Sequence, residues 1–262
     1  MADIPLAESD VWVTKRWSDP NSWPNQTLPA EGEDVMILPL VNMIFDLEES
    51  PIFRFVEVNG NITFEDVNNT HFRAKHIFIR AGAVNIGTKE TPHNHTAKIT
   101  LYGEKNFQTM AYDTAIEAGN KLIVNLGKLN MYGRKRDNSR FSRLTAPALK
   151  DSNTFTVSPG LDWVAGDRLA LLATSYTSGA NDDVFISSYD SVTGQVTINT
   201  TLNYYHWGQA ESTAGSYNGV DMRGEVLLLS RNVIVAGEDI ESWGGQITTG
   251  FVLDNDGTMR YG

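Results

Sequence analysis

The chain has 262 residues, 41% hydrophobic and 20% charged, which is enough to bury a large core and too apolar for a disordered polypeptide. Its formal net charge of -11 sets it against phosphate backbones and anionic membrane surfaces, so nucleic acid is not an expected partner. It holds no cysteine, which excludes disulfides, thiolate chemistry and cysteine-ligated zinc or iron–sulfur sites; location stays open, because stacked β units build a core without disulfides.

The opening Met1-Ala2-Asp3-Ile4-Pro5 lacks both a basic and an apolar stretch, so the sequence predicts no signal peptide. No apolar run approaches the roughly 20 residues of a membrane span, and no membrane insertion is expected in this segment. Five short β-type runs then follow in order: Val35-Met36-Ile37-Leu38, Phe55-Val56-Glu57-Val58, Ile77-Phe78-Ile79-Arg80, Ile99-Thr100-Leu101-Tyr102 and Leu122-Ile123-Val124-Asn125. Their starts lie 20, 22, 22 and 23 residues apart, the step of a stacked repeat. Several are followed by a turn signal and a second alternating run. Asn59-Gly60 precedes Asn61-Ile62-Thr63-Phe64, Ala81-Gly82 precedes Ala83-Val84-Asn85-Ile86, and Leu126-Gly127 precedes Lys128-Leu129-Asn130-Met131. The same form returns at Val226-Leu227-Leu228-Leu229 and Val233-Ile234-Val235.

One strand–turn–strand unit cannot bury its apolar row alone, whereas stacked units close a continuous core. Glycine belongs at the corners, where a β-carbon is costly. Asn59-Gly60 also fits a type I′ hairpin, which would make the flanking strands antiparallel. The regular step favours a parallel β-helix. Residues 106–121 are the best candidate for a short helix.

Between about 135 and 220 the repeat breaks. Leu161–Leu172 reads as a turn feeding a strand, and Val184–Asp190, Ser191-Val192-Thr193-Gly194 and Gln195–Asn199 read as a hairpin, the mark of a small antiparallel sheet. At the far end, Thr249–Gly257 reads as a turn opening further structure, so a piece of a longer chain is expected.

These residues, taken together, resemble the G8 domain family. The resemblance rests on Trp17, Trp23-Pro24, Gly32-Glu33-Asp34-Val35, Phe45-Asp46, His71–Ile77, Ala81–Thr88, Ile99-Thr100-Leu101-Tyr102-Gly103, Leu126–Gly133, Asp162–Asp167, Leu202–His206, Asp221–Val226 and Leu229–Val233. It runs over roughly residues 12 to 240. The wording Glu241-Ser242-Trp243-Gly244-Gly245-Gln246-Ile247 is similar to large surface proteins of ciliated protists. One departure is Gly224, where the family commonly has alanine. The resemblance implies a β-helical region of a large extracellular protein, as in fibrocystin-like ciliary proteins and the cell-surface hyaluronidase and hyaluronan-binding group. It also implies an extracellular or cell-surface location, with the ciliary membrane reached through a parent protein.

Five Asn-x-Ser/Thr sequons occur, at Asn25, Asn61, Asn68, Asn94 and Asn199, a mild excess that fits a secreted glycoprotein. Asp221, Arg223 and Glu225 alternate and so share a strand face, making the strongest acid/base candidate. At ~3.3 Å per residue Asp221 and Glu225 stand about 13 Å apart, wider than the roughly 5–9.5 Å of a glycosidase pair, which favours an ion-pair ladder. His206 after two tyrosines is a weak proton-carrier candidate. His93-Asn94-His95 and the His71/His76 pair lack a third ligand at fixed spacing, so no metal is expected. Asp254-Asn255-Asp256-Gly257 resembles part of a calcium loop, but calcium has no further support and no cofactor is assigned. Trp17, Trp23, Tyr204, Tyr205 and Trp207 are candidate aromatic contacts for sugar rings, with capping of the first rung the competing role for Trp17 and Trp23.

The sequence therefore predicts an all-β fold: a right-handed parallel β-helix of about 22 residues per rung formed by 1–134 and 221–262, with 135–220 inserted as an antiparallel region. The function expected is a non-catalytic structural or adhesion module contacting other extracellular domains, copies of itself, or glycans. The alternative is a domain that binds or hydrolyses a hyaluronan-type polysaccharide.

Overall fold

The computed structural model describes residues 11–104, 111–113, 116–117, 119–136, 140–208, 216–217, 220–240, 244–253 and 259–261. Apart from two short 3-10 turns, Pro20–Ser22 and Pro24–Gln26, the regular structure among these residues is all β. The chain divides into two compact units, Met1–Arg134 with Arg231–Gly262, and Lys135–Ser230.

In the first unit, three parallel ladders repeat. The first runs Val13–Arg16, Val41–Phe45, Asn61–Phe64, Ala83–Ile86, Lys128–Met131. In the second, Val35, Val56, Ile77, Ile123 and Ile247 stand in register on successive strands. The third aligns Phe53, Ala74, Leu101 and Gly237. Two ten-residue strands, Glu49–Val58 and Thr70–Ile79, serve the third ladder with their first halves and the second with their last.

One sequence expectation changes here. Ile99 does not lie between Ile77 and Ile123 in one stack: it registers on Phe72 and Val235 in the third ladder. Alternation fixes which residues face inward but not which ladder a run joins. Of the two readings of Asn59-Gly60 the parallel one holds: the strands on its two sides belong to different ladders and each pairs in parallel, so it is not a hairpin turn.

Gly60, Gly82 and Gly127 stack at the corner between the second and first ladders. Ala83 N donates to Gly60 O (3.0 Å) and Lys128 N to Gly82 O (2.9 Å). A β-carbon on Gly82 would overlap the Gly60 carbonyl oxygen, and one on Gly127 the Gly82 carbonyl oxygen. The core opens with an aromatic cluster in which Trp17 lies 4.9 Å from Trp23, 5.4 Å from Phe45 and Phe72, and 5.5 Å from Phe53, ring centre to ring centre. Trp23 Nε1 donates to Trp17 O at 2.8 Å, so the indole polar edge is satisfied inside.

The second unit is a six-stranded sheet ordered Phe141–Arg143, Glu225–Leu228, Arg168–Leu171, Asp182–Tyr189, Gln195–Ile198, Thr154–Thr156, antiparallel throughout. Its hairpin turns where the sequence predicts it. Asp190 accepts from Val192 N (2.9 Å) and Thr193 Oγ1 (2.8 Å), and Gly194 adopts φ +75. Glu225–Leu228 is a strand of this sheet rather than a returning parallel repeat; its Val226 and Leu228 alternate just as a ladder strand would. The chain rejoins the ladders at Val233.

Arg134 and Asn232, near the two points where the chain leaves and re-enters the first unit, touch: Arg134 N donates to Asn232 Oδ1 at 2.8 Å, and Asn232 Nδ2 donates to His93 O (2.6 Å) and His95 O (2.8 Å). In place of the helix expected over 106–121, strands Ala111–Asp113 and Ile116–Glu117 pair antiparallel, and the remainder up to residue 118 lies outside the described residues.

Candidate functional site

The Asp221-Arg223-Glu225 face gathers a fourth residue that the sequence could not supply. Arg143, across the strand pair, donates to Glu225 Oε1 (2.6 Å) and to the carbonyls of Asp221 (3.2 Å) and Arg223 (2.8 Å). Arg223 grips Asp221 with Nε and Nη2 at 3.0 and 2.7 Å. The Arg223 bonds lower the Asp221 pKa to about 2. A carboxyl that stays ionised at neutral pH accepts hydrogen bonds and cannot serve as a general acid. The cluster locks two antiparallel strands, not adjacent rungs. Gly224 lies within it, and an alanine β-carbon there would press on Leu144 Cδ1 (2.9 Å) and Thr174 Cγ2 (3.0 Å).

A second, buried centre forms around Asp182. It accepts from Asn203 N (2.9 Å), Asn203 Nδ2 (2.8 Å), Tyr204 N (3.1 Å) and His206 Nε2 (2.9 Å). The other ring nitrogen of His206 meets Leu172 O at 2.9 Å. Both ring nitrogens thus lie within hydrogen-bond distance of an oxygen. Burial raises the Asp182 pKa, but the bonds from His206, Asn203 and Tyr204 outweigh it, and the net shift is downward. His206 also exchanges backbone bonds with Ala148, both 2.9 Å. His206 is fully enclosed, so the structure gives it an anchoring role. What the anchored loop displays is Tyr204 and Tyr205, both exposed.

Of the other aromatic candidates, Trp207 is half-buried. Trp17 and Trp23 are buried in the core and offer no face to a sugar, a correction to their reading as surface contacts. Their neighbours are apolar rings, and burying that area outweighs exposing it. Among the sequons, Asn25, Asn68, Asn94 and Asn199 are exposed and Asn61 is half-buried in its ladder. The Asp254–Gly257 segment lies outside the described residues.

A scan against family profiles matches residues 22–145 to the G8 domain. This chain carries a G8 domain. Mouse fibrocystin-L is 28% identical over 245 residues, covering 92% of this chain and 6% of its own length. Mouse fibrocystin is 25% identical over 224 residues, 85% of this chain and 5% of its own length. A G8 domain-containing protein of Dictyostelium discoideum is 21% identical over 244 residues, 88% of this chain and 16% of its own length. The chain thus spans a small part of the relatives it matches, and the likeness to them extends well past the G8 match into the second unit.

Within the G8 domain the polar side chains brace turns. Asp66 accepts from Asn94 N (2.8 Å), His95 N (2.9 Å) and His95 Nδ1 (2.7 Å), which holds its carboxyl far below the usual range against the upward push of burial. His93 is buried with its Nε2 3.7 Å from Asp66. His71 bridges Glu49 (3.1 Å) and Thr100 (2.7 Å). Among the described residues, no group of three or more His, Cys, Asp or Glu is placed to hold a metal. No described helix is long and apolar enough to cross a membrane.

His76 is buried on the G8 ladders, and burial, aided by the charges of Lys75 and Arg54, lowers its pKa to about 4. A folded-state value below the unfolded one means the unfolded chain takes up a proton that the fold refuses. That stability is complete above about pH 6.5 and is lost as pH falls toward 4, about 2–3 kcal/mol by pH 4.5. Urea unfolding at pH 7 and 4.5 should show this loss, and His76→Leu should reduce it. Asp66, Asp182 and Asp221 have lowered values, so their contributions persist until the pH drops below about 4.

Proposed function

We propose that this chain is a non-catalytic structural and adhesive module of a larger extracellular or cell-surface protein. In this reading the three parallel ladders wind as a right-handed β-helix of about 22 residues per turn, with the antiparallel unit inserted between its rungs. The observation that carries it is the unbroken register Val35–Val56–Ile77–Ile123–Ile247, an apolar row built by repetition, as a scaffold requires. Support for an extracellular place, and for attachment to a ciliary membrane through a parent protein, comes from the fibrocystin relatives and from four exposed sequon asparagines. Partners of this module are neighbouring extracellular domains or further copies.

The test is expression in human cells behind a secretion signal. The folded chain should reach the medium carrying N-glycans, seen as a mobility shift on treatment with an N-glycosidase. Retention of a misfolded, sugar-free product would count against the reading, and depolymerisation of hyaluronan by the purified chain would overturn its non-catalytic part.

One observation favours glycan contact as a second reading: two exposed tyrosines on a loop held by a buried histidine–carboxylate contact. Aromatic faces suit sugar rings, and a loop fixed beforehand loses little entropy on binding. A glycan array should then give hits that Tyr204→Ala with Tyr205→Ala removes; an array without hits sinks it.

A further inference from the structure

Two histidines stand against one carboxylate oxygen in the first unit. Asp66 Oδ1 accepts from His95 N (2.9 Å) and His95 Nδ1 (2.7 Å), and Oδ2 accepts from Asn94 N (2.8 Å) and Asn94 Nδ2 (3.1 Å). A carboxylate offers about four lone-pair sites, so Asp66 is fully occupied. His93 Nε2 lies 3.7 Å from the same Oδ1, too far for a hydrogen bond. The His93 ring is fully buried, and among the described residues neither of its nitrogens has a hydrogen-bond partner. Native structures seldom leave two buried polar atoms of one side chain unpaired, and such a group calls for an explanation. Its main chain is held in place: His93 N donates to Tyr132 O at 2.8 Å, and His93 O accepts from Asn232 Nδ2. The His95 side chain, by contrast, is 44% exposed.

We propose that Asp66, His93 and His95 form a proton-driven exchange switch, in which a protonated His93 takes Asp66 Oδ1 through its Nε2–H and the His95 ring turns out to solvent. The exchange gives the newly buried charge a partner; beside a carboxylate still saturated by His95 it has none. The groups that act on the His93 charge are Asp66, from the loop after Asn61–Phe64, which favours it, and His95, on its own loop, which opposes it. Arg134, beyond Lys128–Met131, is spent on Asn94 O at 2.7 Å. Burial outweighs Asp66 and holds the His93 pKa below its ordinary 6.5, so the exchange falls on the acid side of that value. Asp66 stays ionised through that range, because its own pKa is held far down. The switch bears on the point where the chain leaves and re-enters the first unit, since Asn232 Nδ2 donates to His95 O as well as to His93 O.

Imidazole nitrogen NMR of the purified chain, titrated from about pH 7.5 to about pH 5, reads both rings at once, with the five histidines assigned by single substitutions. His93 should gain its proton and His95 Nδ1 should lose its hydrogen-bonded shift with one shared midpoint, while circular dichroism stays constant. In His93→Gln the His95 ring should keep its bond to Asp66 down to about pH 5. A His93 that stays neutral across the titration, a His95 ring that keeps its bond while His93 charges, or the same His95 step in His93→Gln overturns the proposal.

Discussion

Asp182→Ala should destabilise the second unit by about 3–5 kcal/mol, the cost of removing the shared acceptor of a buried hydrogen-bond network. The carboxylate is enclosed and takes four hydrogen bonds, two from backbone N–H groups and two from side chains. Deleting it strands all four donors in a buried site, and each unmade buried bond adds its own penalty. His206 is then left with a single acceptor, Leu172 O. Equilibrium denaturation followed by tyrosine fluorescence reads both the loss of stability and the loosening of the Tyr204–Tyr205 loop. The control is Asp221→Asn. Its ion pair with Arg223 is over a third exposed on the carboxylate side, and it should cost under about 1 kcal/mol. Equal effects from the two variants would contradict the assignment of Asp182 as the anchor.

The second large effect is Gly82→Ala. In most places this change helps slightly, because it restricts the unfolded chain. At this corner a β-carbon collides with the carbonyl of Gly60 at the preceding corner, and neither backbone can yield without breaking the Ala83-to-Gly60 bond. We expect a loss of about 3 kcal/mol or more, in the range reserved for overpacking and broken backbone bonds. Gly179→Ala, with open space around the added carbon, should change stability by less than about 0.5 kcal/mol. A mild Gly82→Ala would mean that the corners slide freely and that the stack does not depend on them.

The corners were readable in advance because Asn59-Gly60, Ala81-Gly82 and Leu126-Gly127 recur before alternating runs, and backbone crowding leaves no other residue type that fits. The ladder assignments were not. Ile77, Ile99 and Ile123 present the same alternation, and only the length of the Thr70–Ile79 strand, which serves two ladders, sends Ile99 to a different one. Asp182 gave no signal in Asn181-Asp182-Asp183, since its partners Asn203 and His206 lie 21 and 24 residues on. A closer look at Leu202–His206, where two hydrogen-bonding side chains bracket two tyrosines, could have raised the question of what holds them. Arg143 was beyond reach for a similar reason: it meets Glu225 across 82 residues of chain. The tryptophans show the opposite limit, because an aromatic residue looks the same in sequence whether it faces a sugar or a core.

The contact between Arg134 N and Asn232 Oδ1 has a consequence for how this architecture varies. Exit and entry points already held together spare the intervening chain any distance to span. Loop-closure entropy rises only with the logarithm of length. Residues 135–230 can therefore grow, shrink or be exchanged over time at small thermodynamic cost to the strands on either side, while Asn232 itself, the clasp, has no such freedom.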